Sequence, residues 1–154
     1  GSVIGAPVNC ERMLEKEEAV IVFPEGVRGS NKLYKLRYQL QRFGNGFMHL
    51  AMKHDTPIIP VGIVGMEESI RSYADIKPLA KLLGMPVAPL VIPYFFKSKV
   101  YIHFGKPMYF KNDIHKETDI KHRVDMVKAA IDELLQEGLT MRTAYLEAQK
   151  EIKK

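Results

Sequence analysis

The chain has 154 residues, which suits one domain around a single hydrophobic core. Its 46% hydrophobic and 27% charged residues are the balance of an ordered globular chain and exclude a disordered one. Lysines and arginines number 23 against 18 acidic residues, a net charge of +5 that suits phosphate groups, anionic membranes or nucleic acid without choosing among them. The single cysteine, Cys10, excludes an internal disulfide, and with no histidine beside it reads as a small half-buried apolar residue rather than a reactive thiol. No signal or transit peptide is recognisable at the start. The opening Gly1-Ser2, without an initiator methionine, reads as a cloning remnant or as the start of a piece of something longer.

Strand and helix signals alternate along the chain. Residues 19–23 (Ala-Val-Ile-Val-Phe) form an apolar, β-branched run stopped by Pro24, which predicts a buried strand. Between residues 46 and 54, Phe47, Leu50, Ala51 and His54 recur at helical spacing. Residues 57–64 are a second apolar run, in which Pro60 cannot donate to a ladder and is expected at an edge, a bulge or a site. The segment 78–96 has no acidic residue and only Lys81 charged, but Pro86, Pro89 and Pro93 would break a spanning helix. It reads as an apolar hairpin or loop that covers the core, lines an acyl cavity or dips into a membrane surface. Residues 100–104 alternate and close at Gly105, a third strand. Ile120, Val124, Val127, Ile131, Leu134 and Leu135 draw one helical stripe over residues 119–136, with Gly138 placed as its terminator. A weaker helix follows from Thr140 towards Ile152, so residues 1–138 read as the domain and 139–154 as a helical extension.

A strand, a helix and another strand make a βαβ unit. The expected fold is therefore α/β, with a partly parallel sheet and right-handed crossover helices. Ligands of such sheets bind beyond the carboxyl ends of strands. Residues 24–30 lie at such an end, and the long connection to Gly46 suggests a working loop.

That end reads Phe23-Pro24-Glu25-Gly26-Val27-Arg28-Gly29-Ser30. Arg28 offers a fork of donors suited to phosphate or carboxylate oxygens. Gly26 and Gly29 let a ligand approach the backbone, and Glu25 is placed to hold a hydroxyl or to pin Arg28. Taken alone, the same residues also describe a plain turn with an exposed ion pair. The basic run Lys32, Lys35, Arg37 and Arg42 interleaves with Tyr34 and Tyr38 and reads as a solvated or phospholipid-facing loop; nucleic acid is not expected as a partner. There is no phosphate-binding Gly-x-x-x-x-Gly-Lys loop, no Gly-x-Gly-x-x-Gly, and no Cys/His spacing for a metal.

Phe-Pro-Glu-Gly-x-Arg-x-Ser after an apolar strand resembles the third motif of the glycerophospholipid acyltransferases, the 1-acylglycerol-3-phosphate acyltransferase-like family. Ile58-Ile59-Pro60-Val61-Gly62, after a helix carrying Leu50-Ala51, resembles its fourth motif. Residues 37–44 and Phe104-Gly105-Lys106-Pro107 are similar to a bacterial branch related to mono- and diacylglycerol acyltransferases. The resemblance covers roughly residues 1 to 110 and implies a truncated glycerolipid acyltransferase-like fold, of which this is the C-terminal part.

It implies that Phe23, Pro24, Glu25, Gly26 and Arg28 bind a glycerolipid acceptor. Ile59, Pro60 and Val61 would shape the acyl-donor pocket; separately, the acid-free, proline-rich apolar character of residues 78–96 puts Leu90, Phe95 and Phe96 forward as contacts with acyl chains or membrane. The resemblance implies acyl-CoA or acyl carrier protein as a substrate with no cofactor and no metal, an anionic membrane surface on its cytoplasmic side as the peripheral site of action, and the missing N-terminal part of the domain as a partner. The family's catalytic element is an upstream His-x-x-x-x-Asp, in which histidine takes the acceptor's proton. None of His49, His54, His103, His115 and His122 has an aspartate five positions later, so no catalytic residue is expected in this chain and it is expected to be inactive alone. Gly1 to Ala6 resemble the start of the second motif, but no arginine precedes Arg12, which leaves a neutral acylglycerol open as acceptor. The rival reading is a non-catalytic lipid- or phosphate-binding module.

Overall fold

The computed structural model describes residues 6–30, 32–69, 72–75, 89–91, 99–113 and 117–152. Helix α1 (Pro7–Glu15) opens with proline at its first position, where the missing N–H has no intrahelical role. A four-residue helix, α2 (Val27–Ser30), and a 3-10 turn (Tyr34–Leu36) lead to α3 (Gly46–Lys53), which buries Met48, Ala51 and Met52. An ion pair of 2.9 Å between Lys53 and Glu11 ties α3 to α1.

Strand β1 (Val61–Val64) buries Gly62 and Val64, in keeping with its period of two. After a short helix, α4 (Met66–Ser69), come β2 (Ser72–Asp75) and β3 (Pro89–Val91), which pair antiparallel with a register shift between Ser72 and Ala74. Strand β4 (Tyr101–Phe104) pairs antiparallel with β1, from Val61 opposite Phe104 to Val64 opposite Tyr101. An isolated bridge between Ile58 and Met108 prolongs this ribbon. The long helix α5 (Glu117–Ile152) lies across it. The core joins Phe43, Met48, Met52, Ile120, Val124 and Val127, with Leu40, Phe47, Ile58, Met108, Phe110 and Ile131 packed around them.

Three glycines let α5 and the ribbon touch. A Cβ on Gly62 would stand 2.8 Å from the Leu134 Cβ, one on Gly105 would stand 2.7 Å from the Pro60 ring and 3.2 Å from Leu134 Cδ1, and one on Gly138 would stand 2.8 Å from Val64 Cγ2. Carbon atoms pack at about 3.5–4.0 Å, so none of these positions accepts a side chain without movement.

The mixed α/β composition agrees with the sequence reading, and three details differ. Both described sheets are two-stranded and antiparallel, so the parallel sheet with crossover helices is not the fold. Residues 19–23 are not a strand: no strand among the described residues pairs with them, and Ile21 and Phe23 are 84% and 74% exposed. An apolar run supplies strand propensity, whereas a strand also needs a ladder partner. Helix α5 runs unbroken through Gly138. Among the described glycines only Gly26 and Gly65 have positive φ, so Gly138 lacks the left-handed conformation of a helix terminator and serves close packing instead.

Pro60 is buried immediately before β1, and its carbonyl accepts the Gly105 N–H at 2.9 Å. Of the apolar segment 78–96, only the backbone of β3 is described. Leu90 stands opposite Ala74 in that pairing, while Phe95 and Phe96 lie outside the described residues. No described helix is long and apolar enough to cross a membrane.

Candidate functional site

The turn after the exposed 19–23 run is fixed from its backbone outwards. The Gly26 N–H donates to the Phe23 carbonyl at 3.0 Å, and Gly26 takes φ +59°, a conformation that costs side chains but not glycine. The turn then feeds directly into α2. The Glu25 side chain folds back on the chain instead of projecting into solvent: one carboxylate oxygen accepts the Gln41 N–H at 2.6 Å, and the other lies where a Cβ of Gly29 would be. Gly29 is therefore the residue that makes room for this carboxylate. One residue earlier, the Pro24 carbonyl accepts the Gly44 N–H at 2.9 Å. These two bonds clamp residues 24–25 to residues 41–44.

Glu25 and Arg28 form no ion pair with each other, so the pinning of Arg28 by Glu25 read from the sequence is absent. Arg28 is exposed and stands beside Val27, itself 53% exposed, with Phe23 on the same turn. The turn thus exposes a guanidinium and two apolar side chains to solvent, over a backbone held by Glu25 and Pro24.

Ile59, Pro60 and Val61 alternate. Ile59 is 52% exposed, Pro60 is buried against Gly105, and Val61 is half-buried opposite Phe104. Ile102 and Phe104 on β4 are exposed, so the ribbon carries an apolar outer surface.

The basic, aromatic loop differs most from its sequence reading. Tyr38, at φ +63°, donates its N–H to Glu67 at 3.1 Å. Its hydroxyl donates to the Glu68 carboxylate and accepts the Gly65 N–H at 2.8 Å. Lys32 pairs with Glu67 at 2.9 Å and Arg142 of α5 pairs with the buried Glu68 at 3.0 Å. Burial and then the Glu68 hydrogen bond raise the Tyr38 pKa far above the ordinary phenol range, which keeps it protonated as a donor. Sequence reasoning missed this network because its members are remote: Tyr38 lies 29 and 30 residues from Glu67 and Glu68. No local spacing announces it. Of the rest of the loop, Arg37 lies 4.8 Å over the Tyr34 ring, while Arg42 is exposed at the end of the clamp.

Among the histidines, His49 and His122 are exposed, and His115 lies outside the described residues. His54 and His103 each bury Nε2 without a partner; the His103 ring lies against Gly138. No group of three or more His, Cys, Asp or Glu among the described residues is arranged to hold a metal.

Comparison with known proteins gives these motifs a context. Residues 4–64 match the family model described as Acyltransferase. An uncharacterised protein of Mycobacterium tuberculosis is 37% identical over 119 residues, which cover 70% of this chain and 33% of that protein. One from Mycobacterium leprae is 38% identical over 120 residues, covering 71% of this chain and 32% of its own length. A 1-acyl-sn-glycerol-3-phosphate acyltransferase of Cocos nucifera is 27% identical over 117 residues, 76% of this chain and 30% of that enzyme. The chain spans about a third of the length of these curated relatives. No solved structure matches it.

Proposed function

Through residues 4–64 the chain belongs to the acyltransferase family, and on that premise we propose that it forms the acceptor-holding part of a glycerolipid acyltransferase. The parent protein would transfer a fatty acyl group from acyl-CoA or an acyl carrier protein to a glycerolipid hydroxyl. The observation that carries this reading is the turn at residues 23–28. It presents Arg28 to solvent on the same turn as the exposed Phe23 and Val27, on a backbone that Glu25 and Pro24 hold in place. A lipid with a polar head needs that combination: apolar contact for the chain, and a fork of donors for head-group oxygens.

In the reaction the acceptor oxygen attacks the thioester carbonyl, the C–S bond breaks, and the thiol leaves with a proton. A base must take the hydroxyl proton, an effect worth roughly 10²–10⁴-fold in rate. No histidine here has the His-x-x-x-x-Asp spacing, so the base is assigned to another part of the parent, and this chain is proposed to be inactive by itself. Because acceptor and product are lipids, the parent is placed peripherally at the cytoplasmic side of an anionic membrane. Leu90, Phe95, Phe96 and the outer face of β4 are the proposed apolar contacts, and Ile59, Pro60 and Val61 the donor-side wall.

The test is Arg28→Ala in the full-length parent, assayed by thiol release with 1-acylglycerol 3-phosphate and with monoacylglycerol. We expect kcat/KM to fall by about tenfold or more for the phosphorylated acceptor and to change little for the neutral one, because one charge-assisted contact of about 1.4–3 kcal/mol is lost only in the former. Equal losses would make Arg28 structural. Lipid binding by a parent that turns over neither acceptor would favour the non-catalytic module.

A further inference from the structure

A groove of about 550 Å³ opens between residues 40–45 and the first turns of α5. That volume lies within the range of small-molecule sites, about 300–1,000 Å³. Phe43 and Val124 in its lining are core residues, only 6% and 3% exposed. Above that apolar base the groove gathers Arg42 from one wall and Lys121 and Lys128 from the other. Arg28 is not among its lining residues, so the groove is separate from the acceptor turn.

The charges in this groove are unusual in how they are used. Glu117 and Asp125 also line it, and each lies four residues from Lys121 on the same helix, the spacing at which opposite charges normally meet. Among the described residues none of Arg42, Lys121 and Lys128 forms an ion pair with any carboxylate. Lys128 places its ammonium 5.6 Å from the ring centroid of Phe43 on the opposite wall. Three cations from two elements therefore border one space together with the carboxylates of Glu117 and Asp125, and none of the three is tied up in an ion pair with a described carboxylate.

The wall that carries Arg42 is also held in position. Gln41 N–H is fixed by Glu25 at 2.6 Å, and Gly44 N–H by the Pro24 carbonyl at 2.9 Å, so both neighbours of the Arg42–Phe43 pair are anchored. A site with a fixed wall loses less entropy on binding than a mobile loop does. Amide side chains of Gln41 and Asn45 and the Thr118 hydroxyl add neutral hydrogen-bonding groups to the lining.

We propose that this groove binds a phosphate-bearing ligand, with Arg42, Lys121 and Lys128 receiving the phosphate oxygens and Gln41 and Asn45 orienting the organic part. Arg42 supplies the planar fork that suits phosphate, and the two lysines supply point charges. The phosphate could belong to the head of a glycerolipid, to a nucleotide-like carrier, or to the free ion; the groove recognises what these share. The assignment stands on the groove itself and does not depend on acyl transfer, which is read separately by thiol release in the parent.

The experiment is calorimetric titration of the 154-residue chain with glycerol 3-phosphate, coenzyme A and inorganic phosphate, and with glycerol and pantetheine as unphosphorylated counterparts. We expect at least one organic phosphate to bind more tightly than inorganic phosphate, its unphosphorylated counterpart not to bind, and affinity to fall with added salt. The preferred organic phosphate identifies the source. Arg42→Gln combined with Lys121→Gln should weaken that binding by about tenfold or more, whereas Lys111→Gln, at an exposed lysine outside the groove, should leave it unchanged. Arg42 and Lys121 are both exposed, so the double variant should keep its far-UV spectrum and melting temperature. Three results would overturn the proposal: no phosphate probe binding more tightly than a Kd of about 1 mM, equal binding to the double variant, or an equal loss on Lys111→Gln alone. Binding of inorganic phosphate only would reduce the groove to an adventitious anion site and count against it too.

Discussion

Gly138→Ala sets two well-defined effects against each other. In the interior of a helix, alanine is favoured over glycine by about 1 kcal/mol. On that ground alone, a glycine in the middle of the 36-residue α5 is a fault that the substitution should repair. The packing opposes it. The new methyl would stand 2.8 Å from Val64 Cγ2 and 2.9 Å from both Cδ2 and Nε2 of His103. Van der Waals contact asks for roughly 0.7 Å more on each. Val64 is fully buried and β-branched, so its side chain is restricted and has little room to retreat. Overpacking of this kind costs about 1–3 kcal/mol, so the net expectation is a loss of about 1 kcal/mol. For a chain of this size, that lowers the melting temperature by about 2–4 °C. Urea and thermal unfolding followed by far-UV circular dichroism measure both quantities. Gly62→Ala makes the comparison sharper, because its methyl would meet Leu134 Cβ at 2.8 Å and the Leu134 carbonyl carbon at 3.0 Å, and helix backbone yields less than a side-chain tip. It should be the more damaging of the two. If Gly138→Ala instead stabilises the protein by about 1 kcal/mol, α5 does not rest on the ribbon as described and the glycine is merely a poor helix former.

Gly138 also shows where sequence reading reached its limit. A glycine after an apolar stripe is the ordinary mark of a helix end, and the same residue type is needed where a helix presses on a strand. The difference lies in φ and in a neighbour on another element, neither of which local sequence carries. The stripe itself was legible: Ile120, Val124, Val127 and Leu135 are all buried, because helical periodicity is a local property. For the same reason α3 and β4 fall where spacing and alternation put them. Residues 19–23 had composition but no visible partner, and the direction of the β1–β4 pairing depends on the chain between them. Apolar runs predict burial of something; pairing decides what.

At the site, the motif was legible as a tight turn, and Gly26 has the positive φ that its type suggested. The aim of Glu25 was not legible. A carboxylate beside a loop reads equally well as a ligand-holding group or as an acceptor for the chain's own N–H, and the choice rested on Gln41, sixteen residues away. The basic and tyrosine-rich loop failed more instructively. Lys32 and Tyr38 looked like a solvated face, yet the Lys32 side chain is only 9% exposed and Tyr38 hydrogen-bonds the buried Glu68. Burying a carboxylate is costly unless cations and donors surround it, and here they come from residues 38 and 142. The sequence held the charges but not their meeting point.

Two further outcomes follow from that meeting point. Arg142→Ala removes the cation from Glu68, whose side chain is 9% exposed, and should destabilise the protein by about 3 kcal/mol in urea unfolding. Adding Glu68→Gln, which removes the stranded charge, should recover part of the loss. A loss below about 0.5 kcal/mol would mean that the pair behaves as a surface ion pair. The alkaline limb of stability tests Tyr38. Its folded pKa is raised, so the unfolded chain releases the phenol proton first, near the ordinary value of about 10. The stability this tyrosine contributes is fully present below that pH and declines as pH climbs towards the folded pKa. Tyr38→Phe lacks the proton, so the stability difference between wild type and variant should shrink steadily above about pH 10. Lysines titrate in the same range, but equally in both proteins, and they cancel in the difference. Tyrosinate absorbance gives the second reading: the folded wild type should show a late-titrating tyrosine that the Tyr38→Phe variant lacks. A difference that stays constant to about pH 11 would show that the Tyr38 hydroxyl is not held against the Glu68 carboxylate in solution.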